Sequence, residues 1–482
     1  MLRETWNFTG YITSDTGAIE SIYNAHHYVH TDAEAACVAI EDGTTDVCSG
    51  PTYHDNVLGC SSAAINASLF RSFGMRMNLG LFDPVDDQPY WQVPISSVDT
   101  QASRALNLLA TQKSVVLLKN AGVLPLAPGK KIAVVGPHAN ATTALVGNYL
   151  GQICPSNGFE CIVSPFQAIA DINGRENTVL AALPSLTKNN SDAWTAALAA
   201  AAAADTVVIL LGLDGSLEGE SNDRTSIDLP ALQHAFASAV ASLGKDTVVV
   251  LIHGGAVDTT AERDSAGIGA MIDAFYPGFV GSNAIATTLF GENDYLGGKM
   301  AFTTYPASYV NAINMSEMEL DVGPGRGYRF YTGEAVWKFG HGLSLTEFSL
   351  SKTSGPDVSF LNTEATPSTV LTYTITVSNT GARTGDDVIQ AYFIPVATPS
   401  QPNSRLLKQL FDFKRVHVAA GASTQVTFNV SSETLRFTDK SSGNSVSTPG
   451  AFTISIEDGV ATPLTYSVSV AGTEVVAAVF PY

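Results

Sequence analysis

The chain has 482 residues, 45% of them hydrophobic, with 25 Lys and Arg against 45 Asp and Glu and a formal charge of -20. That is enough apolar material for roughly two or three folded domains, and with only 15% charged residues it excludes a disordered acidic chain or a long coiled coil. The negative balance repels phosphate backbones and anionic lipid, which excludes nucleic acid and membrane surface as main partners and favours neutral or cationic ligands.

Tyr11 to Asp15 is an apolar strand signal that ends on a carboxylate, and Asp32 to Asp42 predicts a helix with an Asp cap and Gly43 as its stop. These first residues hold one or two βα units. Such a piece cannot bury both faces of its strands, because parallel strands need helices on either side and neighbours on either edge. The rest of that sheet is expected upstream or from another chain. The start, MLRETWNFTG, places Arg3 and Glu4 where a secretory signal needs a positive patch and then an unbroken apolar run, so no signal peptide is visible.

From Lys130 to Gly298 strand and helix signals alternate. Ile132 to Val135, Thr206 to Leu211, Thr247 to Ile252 and Ala270 to Phe275 are short β-branched or apolar runs. Between them, Asp192 to Ala204 follows the capping candidates Asn190 and Ser191, and Pro230 to Leu243 has Pro in its first turn and Gly244 just past its end. The pattern predicts an α/β domain with a mainly parallel sheet, whose ligands bind outside the carboxyl ends of the strands. Ala196 to Leu213 is the best membrane-span candidate, but Asp205 breaks it into a helix followed by a strand.

After a Gly/Pro/Tyr-rich connection from Pro324 to Tyr331 the period changes to two. Leu371, Tyr373, Ile375 and Val377 alternate with polar residues, as do Val426, Phe428 and Val430, and Phe452, Ile454 and Ile456. Short alternating strands with turn signals at Asn379-Thr380-Gly381 and Asp458-Gly459 predict an immunoglobulin-like β-sandwich. Domain limits are expected at 1–95, 96–128 as linker and helix, 129–345, and 346–482. The five cysteines are too irregular for a zinc ribbon or a disulfide scaffold, although Cys154 and Cys161 could close one loop in an oxidising compartment. N-x-S/T sequons at Asn7, Asn66, Asn140, Asn189, Asn314 and Asn429 exceed the roughly three or four due to chance and favour secretion only weakly.

Two acidic positions could carry chemistry. Asp15 sits where α/β and barrel enzymes place catalytic groups, although taken locally it is better explained as a turn-capping Asp. Leu213 to Arg224 puts Asp214, Glu218, Glu220 and Asp223 on one strand-exit loop, which taken alone reads as a solvated acidic loop. Two carboxylates on separate strand-exit loops are what glycoside hydrolysis requires, and that chemistry needs no cofactor or metal. His26, His27 and His30 have metal-like spacing but lack the Glu of a zincin motif and fit a loop better. Val134 to His138 lacks the further glycines of a dinucleotide fingerprint, and neither a phosphate-binding P-loop nor a Gly-x-Ser-x-Gly elbow occurs.

Gly10-Tyr11-Ile12-Thr13-Ser14-Asp15, Ile22-Tyr23-Asn24-Ala25-His26 and Gly43-Thr44-Thr45-Asp46-Val47-Cys48-Ser49-Gly50 resemble the nucleophile region of family 3 glycoside hydrolases, most closely the fungal and plant β-xylosidase branch. The likeness continues through Asn78 to Pro84, Ser114 to Asn120, Gly147-Asn148-Tyr149, Tyr328-Arg329-Phe330-Tyr331, Phe339 to Leu343 and Gln409 to Val416, in order along nearly the whole chain. It implies the C-terminal remnant of a (β/α)8 barrel, an α/β sandwich and a fibronectin type III-like domain. It also implies a secreted, extracellular, retaining exo-acting β-xylosidase with xylo-oligosaccharide as partner and no cofactor, of no determined oligomeric state. Asp15 corresponds to the nucleophile. Glu220 has the family's spacing before Arg224 for the acid/base, with Glu218 in reserve. Thr16 stands where the xylosidase branch usually has Cys, so the disulfide expected there cannot form in the usual way. Most of the family's barrel has no counterpart here, which implies an N-terminally truncated chain. The alternatives are a β-glucosidase, a bifunctional xylosidase/α-L-arabinofuranosidase, and a non-catalytic carbohydrate-binding or decayed module.

Overall fold

The structure, a computed structural model, describes residues 1–396 and 405–481. It divides into two units: Met1–Thr100 with the C-terminal residues from Val479, and Gln101–Ala478.

The first unit contains α1 (Ala18–Asn24), α2 (Asp32–Glu41), α3 (Pro51–Asn56) and α4 (Ser62–Asn78). Thr31, not Asp32, caps α2: its hydroxyl accepts the Glu34 N–H at 3.1 Å, while the Glu34 carboxylate takes the His30 N–H at 2.8 Å. The two side chains serve different N–H donors at the helix start, and Asp32 becomes the first helical residue. The core is small, centred on Ile19, Ala35, Ala36, Ala39, Ile40 and Tyr53. A disulfide that the spacing did not predict, Cys37–Cys60, ties α2 to the turn after α3. Of the predicted strand from Tyr11 to Asp15, only Thr13 pairs, in an isolated parallel bridge with Val47. A strand extends only where a neighbour runs beside it, and the segment at Val47 does so for a single residue pair. Along α4 only Ser68 is fully buried, and Phe70 is 81% exposed.

The second unit begins with α5 (Gln101–Ser114), β1 (Val116–Asn120), β2 (Ile132–Gly136), α6 (Pro165–Asn173), β3 (Thr178–Ala182) and α7 (Ser191–Ala203). It continues with β4 (Thr206–Gly212), α8 (Ala231–Ala241), β5 (Asp246–Ile252), α9 (Thr260–Asp264), β6 (Ala270–Asp273), α10 (Gly281–Leu289) and α11 (Gly327–Phe330). The sheet order is β1-β6-β5-β4-β2-β3, parallel throughout except for β1. β4 shows why the strands read as unbroken apolar runs. Val208 and Leu210 pack with Ile169 of α6 and Ile285 of α10, while Val207, Ile209 and Leu211 pack with Ala197, Ala201, Phe236 and Val240 of α7 and α8. Ala197 and Ala201, one turn apart and fully buried, let α7 lie close to the sheet. Asn190 caps α7 as predicted, accepting the Ala193 N–H at 3.0 Å. Pro230 stands just before α8 and that helix ends at Ala241, two residues earlier than predicted. Among the described residues no helix is long and apolar enough to cross a membrane.

The sandwich comprises β7 (Phe348–Ser354), β8 (Val358–Asn362), β9 (Thr369–Asn379), β10 (Gly385–Val396), β11 (Gln409–Val418) and β12 (Ser423–Ser431). It is completed by β13 (Arg436–Thr438), β14 (Ser445–Ser447), β15 (Gly450–Glu457), β16 (Leu464–Ala471) and β17 (Val475–Ala478). Its two main sheets run β11-β10-β15-β16-β8 and β12-β9-β7. Tyr373, Ile375 and Val377 point into the core between them with Phe428, Phe452, Ile454 and Ile456, as the period of two requires.

A partly buried charge pair between α8 and α9 gives the second unit a pH-dependent stability. The His234 ring contacts the Glu262 carboxylate of α9 at 2.8 Å and that of Asp228 at 3.0 Å. The hydrogen bond with Glu262, against the cost of burial, raises the His234 pKa to about 9. A raised folded-state pKa contributes stability that is fully present below the unfolded value of about 6.5 and lost as pH rises through about 9. Urea unfolding is therefore expected to show a loss on the order of 2–3 kcal/mol between pH 6 and pH 9.5 that His234→Asn abolishes. An unchanged pH dependence in that variant would refute the assignment.

Candidate active-site residues

In the first unit the Asp15 segment is fixed by a buried carboxylate. Asp46 has no side-chain exposure and receives Arg3 at 2.7 Å and Arg71 at 2.6 Å. The same carboxylate accepts the Ile12 N–H at 2.9 Å, and the Asp46 N–H donates back to the Ile12 carbonyl at 2.8 Å. Arg3 also donates to the Gly10 carbonyl at 2.7 Å. One carboxylate thus orders the backbone from Gly10 to Thr13, and the Ser14 N–H continues it with a 2.8 Å bond to the Val47 carbonyl. Asp15 follows, exposed, with Oδ1 accepting the Thr16 N–H at 2.8 Å. The turn-capping contact is therefore present, and the carboxylate still faces solvent. The Thr16 and Ser49 hydroxyls lie 2.8 Å apart.

In the second unit, β4 delivers the acidic loop from a rigid exit. Gly212 has φ +137°, and a Cβ there would lie 1.8 Å from the Ile252 carbonyl oxygen, so the close approach of β4 and β5 requires glycine. The buried Gln233 side chain clamps Gly212, accepting its N–H at 2.8 Å and donating to its carbonyl at 2.8 Å. The Asp214 carbonyl then accepts the Leu217 and Glu218 N–H groups at 2.9 and 3.0 Å, closing the first turn of the loop.

Glu218 and Glu220 diverge here. Glu218 is 13% exposed on its side chain. Its Oε1 accepts the Gly254 N–H at 2.6 Å and the Tyr276 hydroxyl at 2.9 Å, and its Oε2 accepts the Gly255 N–H at 3.1 Å and lies 3.2 Å from Arg224 Nε. Both oxygens are committed to anchoring the loop on the segments that follow β5 and β6. Burial and the Glu218 carboxylate push the Tyr276 phenol well above its ordinary value, so it acts as a donor. Beyond this anchor Gly219 and Asn222 exchange backbone hydrogen bonds at 3.0 and 3.3 Å, with Ser221 at φ +60°. That tight reversal carries Glu220 to the exposed tip, where the Tyr149 hydroxyl donates to its Oε2.

Beneath the loop the carboxyl ends of the strands carry buried histidines. Burial lowers the His138 pKa to about 4 despite nearby Asp214, which leaves the ring neutral. For His253, burial is the largest influence and opposes the charged form, but the Asp273 carboxylate at 3.2 Å, the Gly255 carbonyl and Glu218 together hold the pKa above its ordinary value. His26, His27 and His30 are exposed between α1 and α2. Sequence reasoning missed Tyr276, whose only local signal is its place just after a strand, and the clamping role of Asp46, Arg3 and Arg71.

Residues 115–345 match the model of the glycosyl hydrolase family 3 C-terminal domain, and residues 387–460 match that of a fibronectin type III-like domain. The chain carries a glycosyl hydrolase family 3 C-terminal domain followed by a fibronectin type III-like domain. It is 35% identical to a probable exo-1,4-β-xylosidase of Aspergillus oryzae, over all of this chain and 61% of that protein. A second A. oryzae protein, exo-1,4-β-xylosidase xlnD, is 32% identical over 95% of this chain and 60% of its own length. The family 3 exo-β-xylosidase XlnD, solved in complex with a xylobiose aziridine activity-based probe, superposes with a TM-score of 0.89 at 30% identity, covering 100% of this chain and 64% of that one. A Listeria innocua β-glucosidase in complex with glucose gives a TM-score of 0.78 at 25% identity, covering 98% of this chain and 64% of that one. The chain therefore spans less than two thirds of the length of these relatives. The expected α/β sandwich and fibronectin-like domain are both present.

Proposed function

We propose that the chain serves a retaining exo-acting β-glycosidase that removes xylose from the ends of β-1,4-linked xylo-oligosaccharides, with Asp15 as nucleophile and Glu220 as acid/base. The observation that carries the reading is the division of labour on the 213–224 loop: Glu218 is spent as an anchor while Glu220 is held at the exposed tip. The names of the fungal relatives supply the sugar. Asp15 Oδ attacks the anomeric carbon as the glycosidic bond breaks, and Glu220 gives its proton to the departing oxygen. Glu220 then takes a proton from the water that displaces Asp15, restoring both groups. Two disulfides and six exposed sequon asparagines support secretion.

The test is a 2-deoxy-2-fluoro-xyloside with a good leaving group, which traps the glycosyl-enzyme because its second step is slow. Intact mass and peptide mapping are expected to place one fluoroxylosyl group on Asp15. A label on another residue overturns the nucleophile assignment. Labelling by the 2-fluoro-glucoside in preference to the xyloside overturns the sugar.

A further inference from the structure

A cavity of about 970 Å³ opens at the edge of the sandwich, and no residue of the 213–224 loop lines it. One side is formed by β11, β13 and β14 and the other by the connection around Met318 to Asp321 together with Arg329 and Phe330. The connection is strapped in place. Arg405 donates to the carbonyls of Asp321 and Gly323, and Lys440 pairs with Glu319 at 3.1 Å and Asp321 at 3.0 Å.

Two guanidinium groups in the wall are incompletely satisfied. The Arg436 side chain is 9% exposed and donates through Nη2 to the Ala365 carbonyl at 2.8 Å, yet its Nε is buried without a partner. Arg329 Nε is likewise buried without a partner, although its guanidinium lies 5.1 Å from the Phe330 ring centroid. Both Nε atoms are enclosed by the wall itself, so the polar groups that a ligand in the cavity meets are the exposed donors and acceptors of Lys440, Glu319 and Ser441.

The charge balance decides the ligand class. Arg329, Arg436 and Lys440 are outnumbered by Glu319, Asp321, Glu433, Asp439 and Glu474, so the lining is net negative and disfavours phosphate or carboxylate. Donors and acceptors stand side by side, which suits hydroxyl groups because each donates one hydrogen bond and accepts others. Half-buried Phe330, Phe411 and Phe437 supply apolar wall for the C–H faces of a sugar ring. We propose that this cavity is a second saccharide site, separate from the catalytic loop, that holds a β-1,4-linked xylo-oligosaccharide. The xylose identity rests on the function proposed above; the neutral polyhydroxyl class rests on the cavity alone.

Hydrogen exchange of the whole protein with and without xylohexaose tests this. Protection is expected in peptides covering 318–330 and 436–448, and Lys440→Met is expected to weaken it at least tenfold in ligand concentration. The wild-type measurement needs no variant and stands if that one fails to fold. Absence of protection there at saturating xylohexaose overturns the proposal, as does equal protection by the α-linked maltohexaose. Covalent labelling of Asp15 without cavity protection overturns the second site alone. Cavity protection without labelling supports the site and removes the catalytic reading.

Discussion

Glu220→Gln is expected to lower kcat on xylobiose by about 10²–10⁴-fold, the usual contribution of a positioned general acid. The loss should shrink for a dinitrophenyl xyloside, whose leaving group departs without a proton, because only the second step then needs Glu220 as base. Azide should rescue Glu220→Gly by replacing the general-base step with direct attack, giving a β-xylosyl azide. Glu218→Gln should behave differently. It keeps one carbonyl acceptor but exchanges the other oxygen for an N–H₂ group that clashes with the donors of Gly255 and Arg224, so the loop loses its tether while the tip carboxylate survives. Raised KM and lowered kcat without azide rescue are expected there. Azide rescue of Glu218→Gly and none of Glu220→Gly would exchange the two roles.

That choice was only partly legible in the sequence. Spacing before Arg224 pointed to Glu220 through the family resemblance, but what separates the two glutamates is the set of groups around Glu218. Gly254, Gly255 and Tyr276 are distant in the chain and meet Glu218 only because β4, β5 and β6 are neighbours in the sheet. The strands themselves were readable because both of their faces are buried, which turns β4 and β5 into continuous β-branched runs. β3 escaped notice because it lies at the sheet edge, is half-exposed and ends in alanines. β1, the antiparallel edge strand, is a short apolar run directly after a helix, where periodicity cannot tell strand from helix. Tyr11 to Asp15 failed for the opposite reason: its composition is that of a strand, but its pairing depends on a neighbour that local sequence does not report.

The same limit applies to Asp46, where the largest stability effect is expected. Asp46→Asn should destabilise the first unit by about 3–5 kcal/mol, the cost of breaking a buried charge pair from one side. The arginines it leaves are 15% and 18% exposed, too enclosed for water to replace the lost charge fully. Arg71→Leu alone should cost less, since Arg3 still balances Asp46, and the double variant should fall short of the sum because the two changes remove one shared interaction. The effect should reach catalysis as well. Asp46 holds Ile12 by a bond in each direction, three residues before the proposed nucleophile, and a 1 Å displacement of a reacting group costs about 10²-fold in rate. Measured below its unfolding transition, Asp46→Asn should therefore slow fluoroxylosyl labelling of Asp15 by that order while leaving the pH profile in place. A large fall in unfolding midpoint with undiminished labelling would mean that Asp46 stabilises the unit without positioning Asp15. An unchanged midpoint would mean that the arginines find other partners and that the clamp contributes little.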